Sequence, residues 1–200
     1  MNEPAVMGAS PTRSPASRRL VTVANALTLL RIVLVPVFAV LVVASGMDSP
    51  GLRIGAALAF GVASLTDFAD GRLARAMNQV TAFGQVADPI ADKALTGTAL
   101  VLLSIYDRLP WWVTIVIMGR EVGVTLLRLW VIRHGVIPAS RGGKAKTALL
   151  IAAITWYILP FPAPLAAVGP WLMGLATLVT VVTGIDYVAR AIRLRAAARA

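Results

Sequence analysis

"SLTDFADGRLARAMNQVTAFGQVADPIADKAL", Ser64 to Leu95, sets four aspartates, Asp67, Asp70, Asp88 and Asp92, between apolar runs in an otherwise basic chain. Of the 200 residues, 58% are hydrophobic and only 14% are charged. That apolar share exceeds the share in an ordinary soluble domain. The flanking runs approach the roughly 20 residues that cross a bilayer as a helix. The expected fold is therefore all-α: one polytopic membrane domain. Ionised groups within such spans cost about 2.5 to 3.5 kcal/mol each on insertion scales, so four in one window require compensation.

Outward from this stretch the sequence divides into six apolar spans. The first covers Asn25 to Ser45, and the second starts near Leu52 and enters the aspartates. The third covers Gly84 to Ile105, the fourth Trp111 to Arg133, the fifth Ala145 to Leu159 and the sixth Leu165 to Ala191. They form a six-helix domain over residues 21–195. A Pro-, Ser- and Arg-rich leader at 1–20 is expected to be disordered, and a basic tail occupies 196–200. No cleavage signature follows the first apolar segment, which is read as retained.

Breakers "SGMDSPG", "YDRLP" and "PFPAP" follow the first, third and fifth spans, and with their flanks hold only Arg53 and Arg108 as bases. The other side collects Arg13, Arg18, Arg19, Arg72, Arg75, Arg133, Arg141, Lys144, Lys146, Arg190, Arg193, Arg195 and Arg199. The positive-inside rule puts that side, both termini and the aspartates at the cytoplasmic face of the cell membrane. Trp111, Trp112, Trp156, Tyr157 and Trp171 fall near the opposite span ends, as an aromatic belt would. The net charge of +10 thus marks topology, and nucleic acid is not an expected partner. Cysteine is absent and His134 is the single histidine. Thiolate chemistry and multi-histidine metal sites are excluded.

At 100° per residue, Asp67, Asp70, Gly71, Ala74 and Arg75 fall within an arc of about 140°. Gly84, Asp88 and Asp92 recur at four-residue spacing on the next segment, and the intervening turn is short. Four carboxylates without imidazole or thiolate suit hard cations, Mg²⁺ or Mn²⁺. Two such ions neutralise four charges and suit in-line displacement at phosphorus. Gly71 and Ala74 leave room for a bulky group, and Arg75 can meet a phosphate. Two other readings stand beside this one. Small residues at such spacing also serve helix packing, and acids in a pore line a divalent-cation channel or transporter.

The stretch reads D-x-x-D-G-x-x-A-R, eight residues, then G-x-x-x-D-x-x-x-D, with no position departing from the signature of the CDP-alcohol phosphatidyltransferases, which it closely resembles. The six-span layout fits that family too. The resemblance implies transfer of a phosphatidyl group from CDP-diacylglycerol to an alcohol with release of CMP. It implies Asp67, Asp70, Asp88 and Asp92 as metal ligands, with Asp92 also the general base. Gly71, Ala74, Arg75 and Gly84 would line the CDP site with Asp67 and Asp70, and a homodimer is expected. "NALTLLR", Asn25 to Arg31, resembles the family's polar N-terminal element, which places Asn25 and Thr28 against the nucleotide. Asn25 as a helix N-cap and Arg31 as a snorkelling residue are the alternatives there.

"GREVGVTLLRLWVIRHGVIPASRGGKAKT", Gly119 to Thr147, sets Arg120, Glu121 and Arg128 inside a span, followed by Arg141, Lys144 and Lys146 in a loop. A basic pocket beside carboxylates suits an acceptor that carries its own phosphate. The arginine–glutamate pair, a second arginine seven residues on, and S-x-x-G-K-x-K-T resemble the family's phosphatidylglycerophosphate synthase branch. That resemblance implies sn-glycerol 3-phosphate as acceptor, with its phosphate met by Arg120, Arg128, Arg141, Lys144 and Lys146. A phosphatidylinositol phosphate synthase or a cardiolipin synthase would share the aspartates and differ in the acceptor pocket. Asp186 and Arg190, four residues apart, are expected to form a local ion pair.

Overall fold

The computed structural model describes residues 23–76, 82–131 and 141–197. Within these helices the side chains of 23–28, 67–76, 82–92, 128–131, 141–142, 144 and 196–197 lie outside the description. The described residues are helical, with no strand among them. They form α1 (Val23–Ser45), α2 (Pro50–Ala76), α3 (Ala82–Ile105), α4 (Trp111–Val131), α5 (Arg141–Ile158), the four-residue α6 (Ala163–Ala166) and α7 (Val168–Ala197).

The six long helices correspond one to one with the six apolar spans. The charged ends are where the helices outrun the apolar pattern. The apolar pattern starts the fifth span at Ala145 and leaves Lys144 and Lys146 to a loop; α5 instead begins at Arg141, so both lysines are helical. Lysine is a good helix former, and hydropathy marks where a helix leaves apolar surroundings rather than where its hydrogen bonding begins. For the same reason α7 runs on through Ala197.

Among the described residues, Ala163–Arg195 is the one stretch both long and apolar enough to cross a membrane. Leu29–Ser45, Pro50–Thr66, Lys93–Ile105 and Ala145–Ile158 are shorter apolar helices. Charge at one end of these helices shortens their apolar length.

Helix neighbours close a ring: α1 packs on α2, α2 on α5, α5 on α7, α7 on α4, α4 on α3 and α3 on α1. α3 also touches α2 and α5 across the middle. Ala56, Ala57, Ala59 and Ala63 line the buried face of α2, and such small side chains let helix backbones approach closely. Phe38 of α1 and Phe60 of α2 fill the gap with ring centroids 5.5 Å apart. Leu95, Leu100, Leu103, Ile117, Ile154 and Met173 continue the core across α3, α4, α5 and α7.

The three short connections meet at one end of the bundle. Arg108 Nη2 donates to Met47 O (3.1 Å) and Tyr106 Oη to Val43 O (3.3 Å). Arg53 donates to the carbonyls of Tyr157, Ile158 and Leu159 at the C-terminus of α5, at 3.2, 2.9 and 3.0 Å. Met47 and Asp107 turn these corners at positive φ, 61° and 55°. Helix alternation then sends the C-termini of α2, α4 and α7 and the N-termini of α1, α3 and α5 to the other end, where the aspartate helices meet.

Candidate functional site

Asp67, Asp70, Gly71, Ala74 and Arg75 occupy the last turns of α2, and Gly84, Asp88 and Asp92 the first turns of α3. Both segments are helical, so three- and four-residue spacings put each aspartate pair on one helical face. Their side chains, like those of Asn25, Thr28, Arg128, Arg141 and Lys144, lie outside the described residues. His134, Ser140 and the leader fall outside them altogether. Among the described residues no three of His, Cys, Asp or Glu gather as a metal group; the four aspartates are not in that set. Their chemistry, oxygen donors alone on two helices in contact, fits Mg²⁺ or Mn²⁺.

Two expected acceptor residues do come together. Arg120 of α4 donates from Nη1 to Glu121 Oε1 at 3.0 Å, and Lys146 of α5 donates from Nζ to that same oxygen. One carboxylate thus bridges cations from two helices. Lys146 is only 7% exposed, so its charge is not a solvated topology marker. Lys93 of α3, directly after Asp92, also acts electrostatically on Glu121. In the ion-paired group itself, two cations, Arg120 and Lys146, share one anion.

The helix α7 adds what the sequence did not flag. Arg120 Nη2 donates to Thr183 Oγ1 at 3.0 Å, and Thr183 is itself tied to the carbonyls of Val179 and Thr180 at 2.7 and 3.1 Å. The next residue, Gly184, lies under the arginine. A Cβ there would come within 3.0 Å of Arg120 Cγ and 3.1 Å of its Nε. Arg120 Nε is buried with no hydrogen-bond partner among the described residues. A Thr-Gly pair inside an otherwise apolar span was the available signal, and only its facing helix gives it meaning.

Three smaller expectations resolve here. Asp186 and Arg190 form the expected local pair, Nε to Oδ2 at 3.0 Å. Arg31 is fully buried, which removes the snorkelling alternative. Asn25 sits inside α1, past its first described residue Val23, and so does not cap that helix.

Residues 21–182 match the CDP-alcohol phosphatidyltransferase family. A Mycobacterium tuberculosis protein named "Probable phosphatidylglycerophosphate synthase" is 51% identical over 175 residues, 88% of this chain and 84% of the relative. A Bacillus subtilis protein named "CDP-diacylglycerol--glycerol-3-phosphate 3-phosphatidyltransferase" is 38% identical over 82% of this chain and 91% of its own length. An Escherichia coli K12 protein of the same name is 38% identical over 66% of this chain and 74% of its own.

Proposed function

The chain belongs to the CDP-alcohol phosphatidyltransferase family, and on that premise we propose that it transfers a phosphatidyl group from CDP-diacylglycerol to sn-glycerol 3-phosphate, giving phosphatidylglycerol phosphate and CMP. Membership in an enzyme family sets aside the cation-channel alternative. The observation that supports the choice of acceptor is that Arg120 and Lys146 share one Glu121 carboxylate oxygen, so this ion-paired group carries more positive than negative charge. A phosphate-bearing acceptor complements that surplus; a neutral alcohol does not. The names of the relatives from M. tuberculosis, B. subtilis and E. coli point the same way.

In this reading Asp67, Asp70, Asp88 and Asp92 hold divalent cations, two of them, Mg²⁺ or Mn²⁺. Bound there, such ions supply charge neutralisation for the pyrophosphate and the departing CMP. Asp92 takes the proton of the acceptor's attacking hydroxyl. That hydroxyl oxygen bonds to the donor's diacylglycerol-linked phosphorus as the bond to CMP breaks. Gly71, Ala74 and Gly84 leave room for the nucleotide, Arg75 pairs with its phosphate, and Asn25 and Thr28 contact it from α1. Arg128, Arg141 and Lys144 extend the basic acceptor side.

The six long helices span a bilayer with both termini cytoplasmic, and two copies form a homodimer. Exposed Leu30, Val33, Val40, Leu58, Leu65, Trp171, Leu178 and Ile192 suit lipid, since water-soluble monomers rarely carry apolar patches of that extent. The direct test gives the purified protein CDP-diacylglycerol with glycerol 3-phosphate, inositol 1-phosphate or phosphatidylglycerol in turn. CMP release with glycerol 3-phosphate, abolished by chelator and restored by Mg²⁺ or Mn²⁺, is expected. Turnover with inositol 1-phosphate or phosphatidylglycerol in its place would move the chain to a sister activity.

A further inference from the structure

We infer that Glu121 is a positioning residue that assembles the acceptor-phosphate seat: it holds Lys146 of α5 and Arg120 of α4 on one carboxylate oxygen so that their remaining N–H groups converge on a phosphate. The inference rests on the proposed use of a phosphorylated acceptor. Three cations, Lys93, Arg120 and Lys146, act on Glu121. Like charges drawn this close in a bundle interior repel strongly where the effective dielectric constant is low. A single anion at their centre turns a repulsive group into a fixed one.

Glu121 does so without using up the donors. An ammonium has three N–H groups and a guanidinium five. Arg120 Nε in particular is buried with no partner among the described residues, and a buried unmatched donor in a folded protein calls for a ligand or water. The bare backbone of Gly184 packs closely against this side chain, since a Cβ there would sit 3.0 Å from Cγ and 3.1 Å from Nε, so α7 fixes where the guanidinium lies. Thr183 fixes the other arm of the guanidinium. Competition between Glu121 and the phosphate for Lys146 is the lesser effect, because an incoming dianion meets two cations that share one carboxylate and keep further N–H donors. Preorganisation therefore decides the sign: neutralising Glu121 weakens acceptor binding.

The test is a kinetic double-mutant cycle on the full-length protein. Glu121→Gln is expected to raise the KM for glycerol 3-phosphate about tenfold, the loss of one anchoring interaction. The KM for CDP-diacylglycerol and kcat at saturating acceptor should stay within about twofold, since these interactions are made equally before and during reaction. Lys146→Gln should raise the acceptor KM at least as far. The double variant should fall short of the sum of the two single effects, because Glu121 acts in part through that lysine and in part through Arg120. It also leaves neither of that pair as an orphaned buried charge, and so keeps the test available if Glu121→Gln folds poorly. Glu121→Asp should recover part of the acceptor KM, which a purely packing role would not produce. An unchanged acceptor KM in Glu121→Gln, an equal rise in donor KM, or additive effects in the double variant would overturn the inference. Wild-type turnover with inositol 1-phosphate alone would displace the named acceptor and leave the cycle to be run on that substrate. Turnover only with alcohols lacking a phosphomonoester would remove both.

Discussion

The two ends of the bundle use arginine in opposite ways. At the loop end, Arg53 spends its N–H groups on three backbone carbonyls at the C-terminus of α5, and Arg108 reaches Met47 O. These carbonyls are fixed and unsatisfied by their own helices, so each cation completes the fold; Arg108 also lies 3.6 Å from the exposed carboxylate of Asp48. At the aspartate end, Arg120 meets a side-chain carboxylate and a hydroxyl, and one of its N–H groups is buried without a partner among the described residues. There the cations outnumber the anion that binds them. The residue type does not distinguish a structural arginine from a binding one; what its N–H groups face does.

Variants at the two ends should therefore fail differently. Asp92→Asn should produce the largest effect, a loss of turnover of about 10³-fold, within the range for removing a general base, with folding retained. Size-exclusion behaviour and CMP release measure the two halves of that statement; near-normal rates in this variant would take the base away from Asp92. Arg53→Ala comes next and belongs to the other class. Losing three bonds from a charged donor should cost roughly 2–3 kcal/mol of stability, seen as a lower thermal midpoint, with both KM values of the surviving enzyme unchanged. A shift in acceptor KM there would erase the contrast between the ends.

Gly184→Ala tests the arginine seat more gently. The added methyl crowds Arg120 at 3.0 Å, and a displaced guanidinium should raise the acceptor KM several-fold, about 1 kcal/mol, with little change in melting. Lower stability with an unaltered KM would reduce Gly184 to a packing residue. The smallest effect is reserved for Arg190→Gln. Its pair with Asp186 is half exposed on both sides, and such pairs contribute only about 0.3–0.5 kcal/mol. Activity and melting should both stay near wild type.

Much of this was readable along the chain. Apolar run lengths and their breakers located α1 to α5 and α7, because a helix in apolar surroundings needs a contiguous apolar stretch. The charge pattern assigned the three short loops to one end, and the bonds from Arg53, Tyr106 and Arg108 draw those loops together. The aspartate signature is local, so spacing alone revealed it. The start of α5 was not legible, because Lys144 and Lys146 look like loop charges until Lys146 is seen buried against Glu121.

By itself, then, the sequence determined the number and order of the long helices, the placing of the four aspartates on two of them, and the family. Each of these is written in short-range spacing. Only the tertiary structure decided which cations share Glu121, that Thr183 and Gly184 hold Arg120, and that Arg31 is interior. Those outcomes depend on which helices become neighbours in the ring. That choice is made by the packing of every face at once and leaves no periodicity in any one segment.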